Sequence, residues 1–503
     1  MPVTAGRWQV FWTAGESPSP VWGLPCEPRW LEDWGPWLRR AGFFAGTPYL
    51  ISPAFEYDVA LNEFFADVPM VARPSRTQQG YARDLAAFLN FLWLARGGRS
   101  WRDACEADHL AYLHWRRRDP EGPGVAGSTW NREVAAVNQF YLWAVRRGHV
   151  QVNPVPQTGR GRPPVEAGWA ARRHGEEHRP ATYAHDAARD RVHWLPPGSY
   201  RLWRDVGVRG FDRRGLPSPG FRGRWAARNA VFCDLMVRTG LRLSEQAALT
   251  VLELPLDRTE DGYQRFWLPA AIAKGRSARW VYVPASVITD LMAYAEIDRA
   301  KVVADAVACG RYRSWRRPLV VEDPARPVAV RYADGLRQTV RMGELGPSDR
   351  SRLLVDGGAG LAPAVFWLSE RGDPVAVPTW KRMFIDASRR CGEAGVPIAC
   401  DAHMLRHTFA VVSLEQLQRG HIAALAELTA EQRGYYTRIF GDPLDWVRRR
   451  LGHRSLTTTM IYLHALAELE MRTRMALVPD GWEDPRDSPL TVIDGEITGQ
   501  GQE

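Results

Sequence analysis

The 503-residue sequence predicts a mainly α-helical protein with a small β-sheet, split into an N-terminal helical bundle and a larger mixed α+β domain. Three observations lead there. Apolar residues recur at spacings of three and four over long stretches, the mark of amphipathic helices. Two short β-like runs, Arg265-Phe-Trp-Leu-Pro and Arg279-Trp-Val-Tyr-Val-Pro, flank a turn at Lys274-Gly-Arg-Ser. A Pro-, Gly- and Arg-rich stretch at 156–193 has no sustained apolar period and reads as a linker between folded regions.

Residues 1–70 are rich in Trp, Pro and Phe, and Pro18, Pro20, Pro25, Pro28, Pro36, Pro48 and Pro53 interrupt their apolar patches. They read as an irregular or partly helical extension of unknown role. Helix begins near Thr77, where Tyr81, Leu85, Phe88, Leu89 and Leu92 share one face. A second helix runs through His109–Arg117. A third starts at Ser128 or Thr129, ends near Gly148, and Asn153-Pro154 closes the unit. These make an all-helical bundle over 71–155. The large domain spans 194–478, with helices expected at 226–238, 378–392, 404–418 and 443–450 and a mixed strand-and-loop insertion at 300–365. The tail, 479–503, is acidic.

Composition narrows the function classes. An apolar fraction of 45% with 22 tryptophans indicates a folded protein. No apolar run is long enough to span a membrane, and the N-terminus has no signal-like core, so a cytoplasmic, nucleoid-associated protein is expected. The six cysteines lack CxxC spacing and read as free thiols. His174 and His178 flank two glutamates but do not form HExxH, which favours loop histidines over metal ligands. No GxxxxGK[ST] loop is present. The net charge of +9 suits a polyanionic partner. Only three of the 66 basic residues are lysine, which singles out Lys274 on its turn.

Five segments then carry chemistry: Thr239-Gly-Leu-Arg242-Leu-Ser-Glu245, the Lys274 turn, His403-Met-Leu-Arg406-His407, Leu451-Gly-His453, and Tyr462 nine residues after that histidine. Singly, each has a plain structural reading: a surface arginine, a turn, a helix start, a helix cap, a core tyrosine. Together they equip a site to break a phosphodiester through a covalent intermediate. Arginine forks such as Arg242 and Arg406 neutralise non-bridging oxygens. His403 and His453 can donate to phosphate or move a proton. Lys274 can reach the leaving oxygen, and Tyr462 can attack phosphorus and conserve the bond energy as a phosphotyrosyl ester.

In this order and spacing the residues resemble the signature of the tyrosine recombinase (phage integrase) family, over about four-fifths of the chain, from Thr77 to about Leu477. The opening Thr77-x-x-x-Tyr81-x-x-Asp84-Leu85-x-x-Phe88 and the closing Asn153-Pro154 are similar to the family's core-DNA-binding domain. The resemblance implies a catalytic domain at 194–478 and a C-shaped clamp around duplex DNA. It makes Tyr462 the nucleophile, lets Arg242, Arg406, His403 and His453 bind and activate the scissile phosphate, and makes Lys274 the general acid. Glu245 would orient Arg242, and His407 would support the site. It further implies a homo-tetramer on paired recombination sites, a covalent 3′-phosphotyrosyl intermediate, exchange through a Holliday junction, and no metal or nucleotide cofactor. Accessory directionality or DNA-bending factors fit the same picture.

The expected function is site-specific recombination that integrates or excises a mobile element. A type IB topoisomerase, a chromosome or plasmid resolvase, and a catalytically silent DNA-binding relative are the alternatives. A metal-dependent nuclease would need clustered carboxylates that the motif segments lack. The chain departs from the family pattern in its enlarged 300–365 region, in an insertion around Gln416–Phe440, and in an N-terminus unlike an arm-site-binding domain.

Overall fold

The computed structural model describes residues 6–14, 38, 40, 44–68, 70–158, 179–186, 192–257, 262–315, 317–326, 328–333, 336–356, 360–427, 442–463 and 465. The chain forms two compact units, Met1–Asp190 and Arg191–Glu503. Each builds its own core. Among the described residues no helix is long and apolar enough to cross a membrane.

The first unit is built on α1 (Val59–Ala66), α2 (Ser75–Ala95), α3 (Glu106–Arg117) and α4 (Gly127–Arg146). Local chemistry sets the helix ends. Asp58 accepts from Leu61 N at the start of α1, and Asp108 reaches back to Cys105 N at the start of α3. Leu85, Phe88, Leu89 and Leu92 of α2 pack against Trp130, Val134, Val137, Phe140 and Tyr141 of α4, as their spacing requires.

Leu61, Phe64 and Phe65 of α1 and Leu50 enter this same core. The N-terminal region is thus partly helical and shares the core of the bundle, and the unit it joins is not purely helical. Strands β1 (Gln9–Trp12) and β2 (Pro48–Ile51) pair antiparallel, and buried Asn62 clamps the backbone of Leu50 through both ends of its amide. Four-residue strands whose partners lie far apart in the sequence are too short for alternation to reveal them.

The ends of the expected linker also fold onto this unit. Strands β3 (Gln157–Thr158) and β4 (Arg179–Pro180) pair, Trp130 donates to Thr182 O at 2.7 Å, and Asn131 makes two bonds to the Ala184 backbone. His174 and His178 lie outside the described residues.

The second unit centres on α6 (Ala226–Thr239), preceded by α5 (Pro197–Trp203) and followed by the short α7 (Leu243–Ala247). Strands β5 (Tyr263–Leu268) and β6 (Arg279–Pro284) form the expected hairpin. Helices α8 (Ala285–Ala293), α9 (Ala300–Ala308), α10 (Val377–Glu393), α11 (Ala402–Glu427) and α12 (Pro443–Leu451) follow along the chain. Phe232 of α6 stacks on Trp380 of α10 with centroids 3.7 Å apart, at the middle of the largest core.

The 300–365 region begins as helix and then forms a five-stranded sheet in the order β11-β10-β7-β8-β9, from β7 (Leu319–Val321), β8 (Val328–Ala333), β9 (Leu336–Arg341), β10 (Leu353–Asp356) and β11 (Leu361–Pro363). Only the β7–β10 pair is parallel. Fully buried Arg350 ties this insertion to the segment after α7 through Glu253, at 2.7 and 2.8 Å. Residues 428–440 of the second insertion and the acidic tail lie outside the described residues.

Candidate active site

Helix α6 ends at Gly240, whose φ of 66° only glycine adopts without strain. A Cβ there would lie 2.4 Å from the Phe409 ring, so the chain must turn tightly against α11. The turn places Arg242 at the N-terminus of α7, where Glu245 receives Arg242 N at 3.0 Å and Arg242 Nη1 at 2.9 Å.

Glu245 is a fully buried hub. The same carboxylate accepts Lys274 N at 3.2 Å and Arg279 Nη2 at 2.6 Å. Burial works to raise its pKa, but Arg279 and Arg242 outweigh burial and hold it at about 2. One charge thus fixes the first arginine and the start of the Lys274 turn. The Lys274 side chain itself is exposed, on a turn where Gly275 and Arg276 both have positive φ.

Asp401 caps α11 by accepting from His403 N and Met404 N. One helical turn later come Arg406 and His407, so His403, Arg406 and His407 share a face. Buried Arg406 donates from Nη1 to Gly240 O and from Nη2 to Leu451 O, each at 2.5 Å. Its Nη2 also lies 3.3 Å from His453 Nε2. Burial, with Arg242 alongside, pushes the Arg406 pKa down to about 9, which leaves it charged at neutral pH.

Helix α12 closes at Gly452, again left-handed, where a Cβ would meet Ser277 Oγ at 2.8 Å. The next residue is His453, whose Nδ1 lies 3.0 Å from Thr459 Oγ1. Because a guanidinium can only donate, Nε2 of His453 accepts from Arg406 and Nδ1 carries the proton toward Thr459. Burial and Arg406 push the His453 pKa down to about 3.

Residues 457–463 are helical and carry Tyr462 into a small core with Phe409, Val411, Leu414, Val447 and Leu451. The tyrosine is 1% exposed. Its hydroxyl lies 3.0 Å from His407 Nδ1, and its ring runs nearly parallel to that of His453 at 6.3 Å. His407 in turn meets His403 edge to face at 4.2 Å. Burial raises the phenol pKa against the pull of Arg406 and Arg242. Burial and His403 lower the His407 pKa to about 4, and burial with Arg406 lowers that of His403. The imidazoles are neutral at pH 7.

The structure therefore links Tyr462, His407, His403, Arg406 and His453 in one chain of contacts, and joins Arg242 to the Lys274 turn through Glu245. Sequence reasoning missed Arg279, the second cation on Glu245, which also donates to Arg450 O at 2.8 Å. It missed Thr459 as well. A signal for Arg279 existed: it stands in register with Leu268 and alternates with Val281 and Val283 on the inward face of the hairpin, where a charge needs a partner. Among the described residues no group of three or more His, Cys, Asp or Glu could hold a metal ion.

Residues 61–148 match the model of the phage integrase N-terminal SAM-like domain. No curated protein matches the chain. Among solved structures the chain is similar to XerA recombinase, at 15% identity and a TM-score of 0.30 over 82% of this chain and 98% of that one. It is similar to XerH site-specific recombinase bound to a palindromic difH substrate, at 14% identity and 0.42 over 80% of each chain. It is also similar to the Tn1549 transposon integrase in complex with circular intermediate DNA, at 13% identity and 0.43 over 82% of this chain and 99% of that one. At such TM-scores these likenesses carry no chemical weight; the chain's own residues and the domain match do.

Proposed function

We propose, from the match of residues 61–148 to the phage integrase N-terminal SAM-like domain and from the site described above, that this chain is a site-specific DNA recombinase of the phage integrase family acting through a covalent 3′-phosphotyrosyl intermediate. The observation that carries the reading is the placement of a buried phenol beside a cationic cluster: Tyr462 bonded to His407 and stacked near His453, which is itself bonded to Arg406. A structural tyrosine needs a hydrogen-bond partner but no neighbouring pair of arginines and three imidazoles.

In the proposed reaction the phenolic oxygen attacks phosphorus and the bond from phosphorus to the 5′-oxygen breaks in line. The phenol proton passes to His407 Nδ1, and Lys274 protonates the departing 5′-oxygen. Arg242 and Arg406 neutralise the non-bridging oxygens as charge accumulates on them. A phosphate oxygen that takes Arg406 Nη2 frees His453 Nε2 from its present contact, and in its Nε2–H tautomer, with Thr459 Oγ1 donating to Nδ1, His453 can then donate to the phosphate. His403, at the start of the same helix face, supplies a further donor. Attack by a new 5′-hydroxyl reverses the steps and returns each proton. No redox step or bond-energy input is needed.

The substrate is duplex DNA at paired recombination sites, handled by a tetramer, and the reaction integrates or excises a mobile element. The test is covalent trapping. On a nicked suicide site the protein forms an SDS-resistant DNA adduct, with or without EDTA. Tyr462→Phe forms none while binding the site within a few-fold of wild type. Adduct formation by that variant moves the nucleophile elsewhere, and a wild-type protein that binds DNA without any adduct is a silent relative.

A further inference from the structure

The β5–β6 hairpin buries one face and leaves the other open. Its register pairs Arg265 with Tyr282 and Trp267 with Trp280, which puts these four side chains on the outer face. Trp267 and Trp280 are 47% and 42% exposed. Their rings meet edge to face with centroids 5.2 Å apart, and the Arg265 guanidinium lies 4.5 Å from the Trp280 centroid. Opposite stands α12. Its Arg450 sits 3.8 Å over Tyr282 and 4.8 Å over Trp446, with Nε lacking a hydrogen-bond partner among the described residues. Between hairpin and helix lies an open groove of about 760 Å³, lined further by Arg449 and Arg454.

Two exposed tryptophans on a two-stranded hairpin are a costly apolar surface unless something covers them. Asp442 also lines the groove and Asp445 pairs with both Arg448 and Arg449, but arginines outnumber these carboxylates, so the lining is net positive and suits an anionic occupant. The aromatic faces set its geometry, because aromatic rings interleaved with guanidinium groups are the means by which proteins hold unpaired bases. Duplex DNA presents phosphates and base edges but no free base faces to stack. The groove is also continuous with the candidate active site. Ser277, Gly452 and His453 line it, and Arg454 donates to Gly275 O at 2.6 Å, on the turn that carries Lys274.

We propose that this groove holds the single-stranded DNA segment released by strand cleavage, with bases stacked on Trp267 and Trp280 and phosphates against Arg449 and Arg454. The strand's origin rests on the recombinase reading, in which Lys274 protonates the departing 5′-oxygen at the groove's mouth. The groove keeps the freed strand unpaired and close until it moves to its new partner.

The test uses the full-length protein in two assays. In the first, anisotropy of a short fluorescein-labelled oligothymidylate at fixed salt reports single-strand affinity. Trp267→Ala/Trp280→Ala weakens it about 5- to 100-fold, the range expected for lost base stacking, while Trp280→Phe retains most of it and duplex affinity stays within two- to three-fold. In the second, the double-alanine variant forms the covalent adduct on a suicide site at the wild-type rate but joins the cleaved end to an incoming strand several-fold less efficiently. Unchanged oligothymidylate affinity, or equal loss of single-strand and duplex binding, overturns the proposal. If the wild-type protein forms no adduct, the recombinase reading fails, and the anisotropy assay alone still decides whether the groove takes single strands.

Discussion

At the scale of single residues, the informative contact is between the phenol and its histidine. The resemblance gives His407 only a supporting place, yet of the site's three imidazoles it is the one hydrogen-bonded to the Tyr462 hydroxyl. A neutral ring in the Nε2–H tautomer can take the phenol proton through Nδ1, and a pKa of about 4 keeps it neutral well below physiological pH. His407→Ala should therefore slow single-turnover adduct formation by about 100-fold, the usual scale for a lost proton acceptor. It should leave DNA affinity within a few-fold. It should also lower stability by about 1–3 kcal/mol, because the phenol would be buried without a partner. A lowered melting temperature with an unchanged adduct rate would reduce His407 to packing.

At the scale of elements, two left-handed glycines and one buried carboxylate assemble the site. Gly240 and Gly452 end α6 and α12 so that Arg242 and His453 follow directly, and Arg279 and Arg406 grip the successive carbonyls of Arg450 and Leu451. Arg279 thus joins the Lys274 hairpin, Glu245 and the helix end that aims His453. Breaking a buried ion pair costs about 3–5 kcal/mol because the remaining charge is stranded. Arg279→Met should destabilise the protein on that scale and reduce adduct yield together with it. Arg279→Lys should recover part of the stability, since one ammonium cannot bond Glu245 and the Arg450 carbonyl in the same geometry. Thermal unfolding beside adduct yield checks both, and full function in the methionine variant would dismiss the coupling. The long helices and the motif residues were legible because periodicity and spacing are local properties. Arg279 was less so, since its partners lie 34 and 171 residues away. The β1–β2 pairing and the parallel β7–β10 pairing inside the expected strand-and-loop insertion were hidden for the same reason: short strands with distant partners do not declare themselves locally.

At the scale of the whole molecule, the two units should respond differently to acid. In the second unit His407 and His453 have pKa values near 4 and 3, and His403 is also lowered. Unfolded histidine titrates near 6.5, so from there down to the folded values the unfolded chain binds more protons, and stability falls as pH falls. Glu245, held near 2, does not oppose this, because its contribution is lost only below the unfolded glutamate range. The first unit carries opposing groups. Buried His109, lowered to about 4, loses stability over the same interval. Asp84, raised to about 6 chiefly by burial, binds its proton more tightly when folded and gains stability as pH falls from about 6 toward 4. Scanning calorimetry at pH 7, 6, 5 and 4 should therefore show the transition of the second unit moving to lower temperature while that of the first moves much less. Asp84→Asn identifies the first transition by removing its gain, so that His109 alone drives it downward on acidification. Parallel shifts of both transitions, unaltered by Asp84→Asn, would show that the buried histidines around Tyr462 do not govern the acid sensitivity of the second unit.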